Sequence, residues 1–230
     1  MIEPKWLPWQ QKVLDDIRKH DGEYVVQAPR QNGKSEALLW EAMLTAMADK
    51  GRVLYVSHDV RMSRHNMERI RAWLSGHEDI YRPRMANGQE QIEFRDGGRI
   101  YFRSFRQRGG RGLQCDDVFV DDCDGMTVEQ RYTVLASAIP KRVVYGCVLP
   151  QAQSPLHRIA DGVFYCYDGP DTYSHKAYLT ANPSAEHLVK WEWVERELET
   201  LTEDYYRRSR LATGPFRPGY HDPERVRVLK

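Results

Sequence analysis

Cysteine is scarce in this sequence. Its 230 residues contain four (Cys115, Cys123, Cys147, Cys166), none at metal-ligand spacing. That argues against a clustered zinc site and a disulfide scaffold, and predicts reduced, mostly buried thiols. Long apolar runs are missing too. None approaches the ~20 residues of a membrane-spanning helix, and Met1-Ile2-Glu3-Pro4-Lys5 lacks a signal-peptide pattern. A dominant charge is absent: 34 Lys and Arg face 33 Asp and Glu, a formal net charge of +1. No global basic field therefore announces nucleic acid. Repeats, low-complexity tracts and obvious linkers are not found either. The expectation is a soluble, intracellular chain able to bury a full core in one domain.

What the sequence does contain is Gln27-Ala28-Pro29-Arg30-Gln31-Asn32-Gly33-Lys34-Ser35. It follows the apolar run Tyr24-Val25-Val26 and precedes Glu36-Ala37-Leu38-Leu39-Trp40. A strand, a tight loop ending Gly-Lys-Ser and a helix form a phosphate cradle. Backbone N–H groups and the helix N-terminus hold phosphate, Lys34 adds positive charge, and the Ser35 hydroxyl can ligate Mg²⁺. Pro29, Arg30, Gln31, Asn32, Gly33, Lys34 and Ser35 are thus the candidate nucleotide-binding residues, although Ala28 stands where the pattern usually begins with Gly. An ordinary strand-to-helix turn is the plain rival. It does not explain a lysine opening a helix, where the macrodipole disfavours a cation unless an anion is near.

Periodicity predicts helices from Pro8 to Ile17, Lys34 to Asp49, Arg61 to Leu74 and Thr127 to Ala138. Strands are expected at Tyr24 to Ala28, Arg52 to Ser57, Val118 to Val120 and Arg142 to Leu149, with a hairpin from Gln91 to Ser104 around Asp96-Gly97-Gly98. Strands alternating with helices indicate an α/β domain with a mainly parallel sheet covered on both faces. Farther on, Val163 to Tyr167 and His175 to Thr180 read as strands, Lys190 to Leu201 and Thr202 to Ala212 as charged helices, and Pro215 to Lys230 as an exposed tail. The division expected is a phosphate-loop core over 1–185 with a helical C-terminal subregion and tail of the same domain over 186–230.

A phosphate cradle needs a metal-holding carboxylate on a neighbouring strand, and Val118-Phe119-Val120-Asp121-Asp122 supplies one. Asp121 emerges at the carboxyl end of a buried strand, where open α/β sheets place their ligands. It would hold Mg²⁺, mainly through water, while Asp122 orients the attacking water. Asp124 and Glu129 compete for that base role, and capping of the helix near Thr127 is the plain alternative for these acids. Arg30, inside the loop, could contact phosphate or brace the loop. Arg111, on the Gly/Arg stretch Arg106 to Gly112, is a candidate finger for transition-state charge, in cis or from a neighbouring subunit. Arg61, Arg64, Arg69 and Arg71 on one helix, with Arg99 and Arg103 sharing a strand face with Tyr101, suit phosphate contact with DNA. A solvated charged face is the rival reading.

In these motifs the sequence resembles the ATPase domain of the large terminase subunit, the DNA-packaging motor of tailed bacteriophages. Leu7-Pro8-Trp9-Gln10 resembles the family's adenine-reading segment, with Gln10 at the glutamine position. The loop from Ala28 to Ser35 resembles its phosphate loop (Walker A), with Arg-Gln ahead of x-Gly-Lys-Ser. The hairpin strand Gly98 to Ser104, then Arg111-Gly112, then the acidic strand (Walker B) follow its order, and Val143 to Pro155 with Ala181-Asn182-Pro183 resembles the coupling strand and the exit from the domain. The resemblance implies a RecA-like (ASCE) P-loop NTPase that binds ATP and Mg²⁺. It further implies a homo-oligomeric ring in which Arg111 acts in trans, with weak activity as a monomer. The implied partners are double-stranded DNA, a portal protein and a small terminase subunit, in the host cytoplasm, transiently at the procapsid portal and not in the mature virion.

Three departures stand out. Asp122 replaces the expected Glu. Val148-Leu149-Pro150 lacks the coupling hydroxyl, for which Gln151 or Gln153 could substitute. The family normally continues into a ribonuclease-H-like nuclease, and this sequence stops at Lys230, which reads as either a natural stand-alone ATPase or an excised domain, with no nuclease activity expected. Two other readings stay open: a helicase-like DNA-stimulated ATPase, and a nucleotide-gated assembly protein with little hydrolysis.

Overall fold

Short runs of β-branched and aromatic residues, each bounded by polar or glycine-containing segments, form the strands of one sheet. The computed structural model describes residues 4–6, 8–19, 21–28, 33–48, 50–86, 89–105, 112–135, 140–148, 155–158, 164–166 and 226–228. In chain order the elements are α1 (Pro8–Lys19), β1 (Gly22–Gln27), α2 (Lys34–Ala48), β2 (Arg52–Ser57), α3 (Val60–Trp73), β3 (Tyr81–Arg84), β4 (Gln91–Phe94), β5 (Arg99–Ser104), β6 (Asp117–Val120), α4 (Val128–Leu135), β7 (Arg142–Cys147), β8 (Phe164–Cys166) and β9 (Val226–Val228). A 3₁₀ turn covers Pro155–Arg158.

Among the described residues the sheet has nine strands in the order β3-β4-β5-β2-β6-β7-β1-β8-β9. From β5 through β9 every pairing is parallel, while β4 runs antiparallel to both β3 and β5. Side-chain alternation divides the sheet between two cores. Tyr55, Phe102, Phe119 and Val144 pack under α1, α2 and α3, with Trp40, Met43, Met67 and Ile70. Leu54, Val56, Val118, Val120, Val143 and Tyr145 face the other side, with Val134 of α4. Both faces are covered, as the continuous apolar strands require.

Most predicted elements lie within two or three residues of their expected ends. Two differences are informative. Tyr81–Arg84 is a strand that alternation does not reveal, because it is a short edge strand with Pro83 in its middle. Proline is tolerated there because its missing donor faces away from the ladder. The tail expected from Pro215 instead contributes β9, which pairs in parallel with β8. The expected strand from His175 and the helices at 190–201 and 202–212 lie outside the described residues.

Strand order positions the chemistry. The phosphate-loop strand β1 and the acidic strand β6 are not neighbours: both flank β7. Gln27 is level with Cys147 and Val120 with Tyr145. The loop after β1 and the carboxylates after β6 thus leave the same edge of the sheet, with the end of β7 between them.

Candidate nucleotide site

Gly33 and Lys34 begin the first turn of α2. Gly33 has a left-handed φ of 75°, a conformation glycine adopts without steric cost. A Cβ there would lie 2.5 Å from Gln10 Nε2. That amide, buried on α1, donates to the Gly33 carbonyl at 2.9 Å, which also accepts the first helical bond from Ala37 N. Gln10, the residue expected to read adenine, is thus tied to the Gly33 carbonyl at the start of α2. Pro29, Arg30, Gln31 and Asn32 lie outside the described residues.

Lys34 is buried at the opening of the helix. Its ammonium donates to Asp121 Oδ1 at 3.4 Å and to Asp122 Oδ1 at 3.2 Å. Burial alone would favour the neutral amine. The charges of Asp121, Asp122 and Asp124 outweigh it and hold the pKa above that of an ordinary lysine. Lys34 is therefore a cation at any physiological pH.

Asp121 is 1 % exposed. Its Oδ1 accepts from Ser35 Oγ at 3.0 Å and from the backbone N–H of Asp122 at 3.0 Å, besides Lys34. Its Oδ2 accepts from the Tyr55 hydroxyl at 3.1 Å. Donors thus satisfy a carboxylate that would otherwise be costly to bury. Tyr55 is itself raised well above an ordinary tyrosine, first by burial and then by the Asp121 charge, so it stays protonated and donating.

The turn after β6 sorts the competing acids. Asp122 sits at φ 51°, a left-handed geometry that aspartate tolerates better than most residues. Its half-exposed carboxylate reaches Lys34. Asp124 instead accepts from the Val148 N–H at 2.8 Å, tying the turn to the end of β7. Glu129 is exposed in the first turn of α4. The start of α4 is capped by Thr127 and Gln130, which form a reciprocal box. Gln130 Oε1 takes the Thr127 N–H at 2.8 Å, and Thr127 Oγ1 takes the Gln130 N–H at 3.2 Å.

Gly146 on β7 makes the convergence sterically possible. A Cβ there would lie 2.5 Å from Leu38 Cδ1, 3.3 Å from Asp121 Oδ1 and 3.5 Å from Lys34 Cδ. Sequence reasoning missed both Gly146 and Tyr55. Tyr55 had a usable signal: a lone hydroxyl in the buried aliphatic run Val53-Leu54-Tyr55-Val56 needs a partner.

The donor set suits a magnesium ion. Ser35 Oγ and Asp121 are hard oxygen ligands within hydrogen-bond distance of each other, beside an excess of carboxylate charge. Among the described residues no group of three or more His, Cys, Asp or Glu forms a dedicated cage. Magnesium typically binds through one or two protein oxygens plus water and phosphate.

The arginines expected to meet DNA divide. Arg103 is buried, donates to the Glu90 and Phe102 carbonyls, and lies over the Tyr101 ring. Burial lowers its pKa, and it is a core residue rather than a phosphate contact. Arg64 pairs with Glu90, Arg69 with Glu36 and Arg99 with Glu93, while Arg61 and Arg71 are exposed. Arg106, Arg108, Arg111, Leu149, Pro150, Gln151 and Gln153 lie outside the described residues. Cys115, Cys123 and Cys147 are buried and form no disulfide among the described residues. No described helix is long and apolar enough to cross a membrane.

No family model matches the sequence, and no curated protein matches it. Solved structures do resemble it. The HK97 bacteriophage large terminase matches with a TM-score of 0.73 at 12 % identity, covering 93 % of this chain and 52 % of that one. The large terminase of a thermophilic bacteriophage, in complex with ADP, matches at 0.60 and 16 % identity, covering 91 % and 53 %. The ATPase domain of the Thermus phage P74-26 large terminase matches at 0.59 and 12 % identity, covering 91 % and 93 %. The chain spans about half the length of the first two of these proteins. At these identities the likeness is one of fold: this chain has the fold of the large-terminase ATPase domain.

Proposed function

We propose that this chain is an ATPase that drives double-stranded viral DNA into a procapsid. The observation that carries the reading is the convergence of Lys34 and Ser35, at the start of the helix that follows β1, with Asp121, just after β6, across the intervening β7. Gly33, Lys34 and Ser35 would take the phosphates, with Pro29, Arg30, Gln31 and Asn32 as the other proposed nucleotide-binding residues and Arg30 contacting phosphate or bracing the loop. The thermophilic-phage terminase solved with ADP, and with ATP-gamma-S, supports a nucleotide as the ligand.

Ser35 and Asp121 would hold Mg²⁺, which when bound neutralises charge on the phosphate oxygens. Lys34 adds a cation that stays charged. Asp122, the acid that reaches Lys34 and is half exposed, orients the attacking water. Arg111 from an adjacent subunit would stabilise transition-state charge in a homo-oligomeric ring, and a trans arginine of this kind is worth about 10³- to 10⁵-fold in rate. The expected partners are DNA, a portal protein and a small terminase subunit in the host cytoplasm.

The test is nucleotide binding and turnover by wild type, Lys34→Ala and Asp121→Ala. Lys34→Ala should lose measurable turnover, and Asp121→Ala should lose the magnesium dependence of binding. Wild-type activity in both variants would refute the site.

A further inference from the structure

We infer that Tyr55 is a positioning residue for the metal-holding carboxylate: its hydroxyl fixes Asp121 Oδ2 and so sets the magnesium requirement of the nucleotide site. The inference rests on the nucleotide-site reading above. Tyr55 belongs to β2, which pairs directly with β6, and it is level with Phe119, two residues before Asp121. Its ring stacks on Phe119 (6.5 Å between centroids, 14° between planes) and leans on Phe102 at 6.1 Å. Aromatic neighbours from both flanking strands thus hold the ring and aim its hydroxyl at the sheet edge.

That hydroxyl touches both elements that supply the proposed metal ligands. It lies 3.1 Å from Asp121 Oδ2 and 3.4 Å from the Ser35 carbonyl oxygen. A phenol has one proton to give, and the nearer, charged oxygen of Asp121 is the better acceptor. The donors on Oδ1 are Lys34, Ser35 and the Asp122 backbone. Among the described residues Tyr55 is the donor recorded on Oδ2. Without it the carboxylate is held through Oδ1 alone, and Oδ2 loses the donor that fixes the orientation serving a cation held with Ser35.

The experiment titrates Mg²⁺ against binding of a fluorescent ATP analogue, with a parallel measurement in EDTA. Tyr55→Phe should raise the half-saturating Mg²⁺ about tenfold, the low end for losing a partner that orients a metal ligand. Its metal-free nucleotide affinity should stay at the wild-type value. In an Asp121→Asn background, Tyr55→Phe should have no further effect. Tyr145→Phe is the control, because that buried hydroxyl meets Glu23 and Arg131 instead and its loss should leave the magnesium requirement alone. If Tyr55→Phe melts too early to titrate, 4-fluorophenylalanine at position 55 fills the hydroxyl's volume without donating, and should give the same shift.

An unchanged magnesium requirement in a folded Tyr55 variant overturns the inference. So does an equal rise in Tyr145→Phe, or a parallel loss of metal-free binding. These failures are separable from failure of the parent reading. Wild type that shows no magnesium-dependent nucleotide binding refutes the nucleotide site itself, and the role of Tyr55 with it.

Discussion

Gly146 is the position where one added carbon would disturb the most chemistry. Its missing Cβ is what lets Leu38, Lys34 and Asp121 meet across β7. Leu38 can swing its end away, but Asp121 and Lys34 hold each other and must shift together. Gly146→Ala should therefore cost about 1–3 kcal/mol, the usual range for overpacking a filled core. It should weaken nucleotide binding more than a stability loss of that size explains. Denaturant melts beside nucleotide titrations test this, and a variant with wild-type affinity would show that the approach at β7 is not needed. Gly33 is constrained twice, by its left-handed φ and by the Gln10 amide against it. At this scale the sequence was informative about residue type. Gly-Lys-Ser and Asp-Asp after an apolar strand point to phosphate and metal wherever they fall in space.

A buried cross-brace ties the elements together at the amino ends of β6 and β7, the sheet edge opposite the site. Arg142 on β7 donates to Asp117 on β6 at 2.7 Å, to the Ile17 carbonyl on α1 at 2.9 Å and to Thr45 on α2 at 3.1 Å. The Asp117 carboxyl is raised by burial, which the neighbouring Arg142 partly offsets. Removing one partner of a buried pair leaves the other charge uncompensated. Asp117→Ala should therefore destabilise the chain by about 3 kcal/mol, read as a lower urea midpoint with an unchanged slope. A loss within experimental error would show that Ile17 and Thr45 satisfy the guanidinium alone. Helix ends were partly legible from sequence. Thr127 lay close to the start of α4, but the reciprocal partner Gln130 freed the nearby acids from a capping role. At α3, Asp59 caps by accepting from Met62 N–H at 3.0 Å.

At the scale of the whole molecule, the parallel sheet brings residues 87 positions apart into one ion pair. The functional reading adds a second chain, because the proposed finger, Arg111, would act on a neighbour's nucleotide. Arg111→Ala and Lys34→Ala subunits, each inactive alone, should regain part of their assembly-stimulated ATPase activity when mixed on DNA or portal. In mixed assemblies an intact Arg111 can face an intact Lys34 site. A mixture that recovers no activity would count against the trans role.

The sequence by itself determined the alternating α/β pattern, the place of Gly33-Lys34-Ser35 between a strand and a helix and of Asp121-Asp122 at the end of a buried strand, and the two-sided burial of the sheet. These follow from local periodicity and from residue types whose chemistry allows few alternatives. Only the tertiary structure decided that β7 separates β1 from β6, that Gln10 braces Gly33, and that Tyr55 and Gly146 lie against Asp121. It also turned Arg103 inward and gave Asp124 to Val148. The physical reason is that periodicity tells which face of a strand is buried, not which strand lies beside it. A side chain's partner depends on that neighbour, so the roles of Tyr55, Gly146 and Arg103 became visible only once the strands were in order.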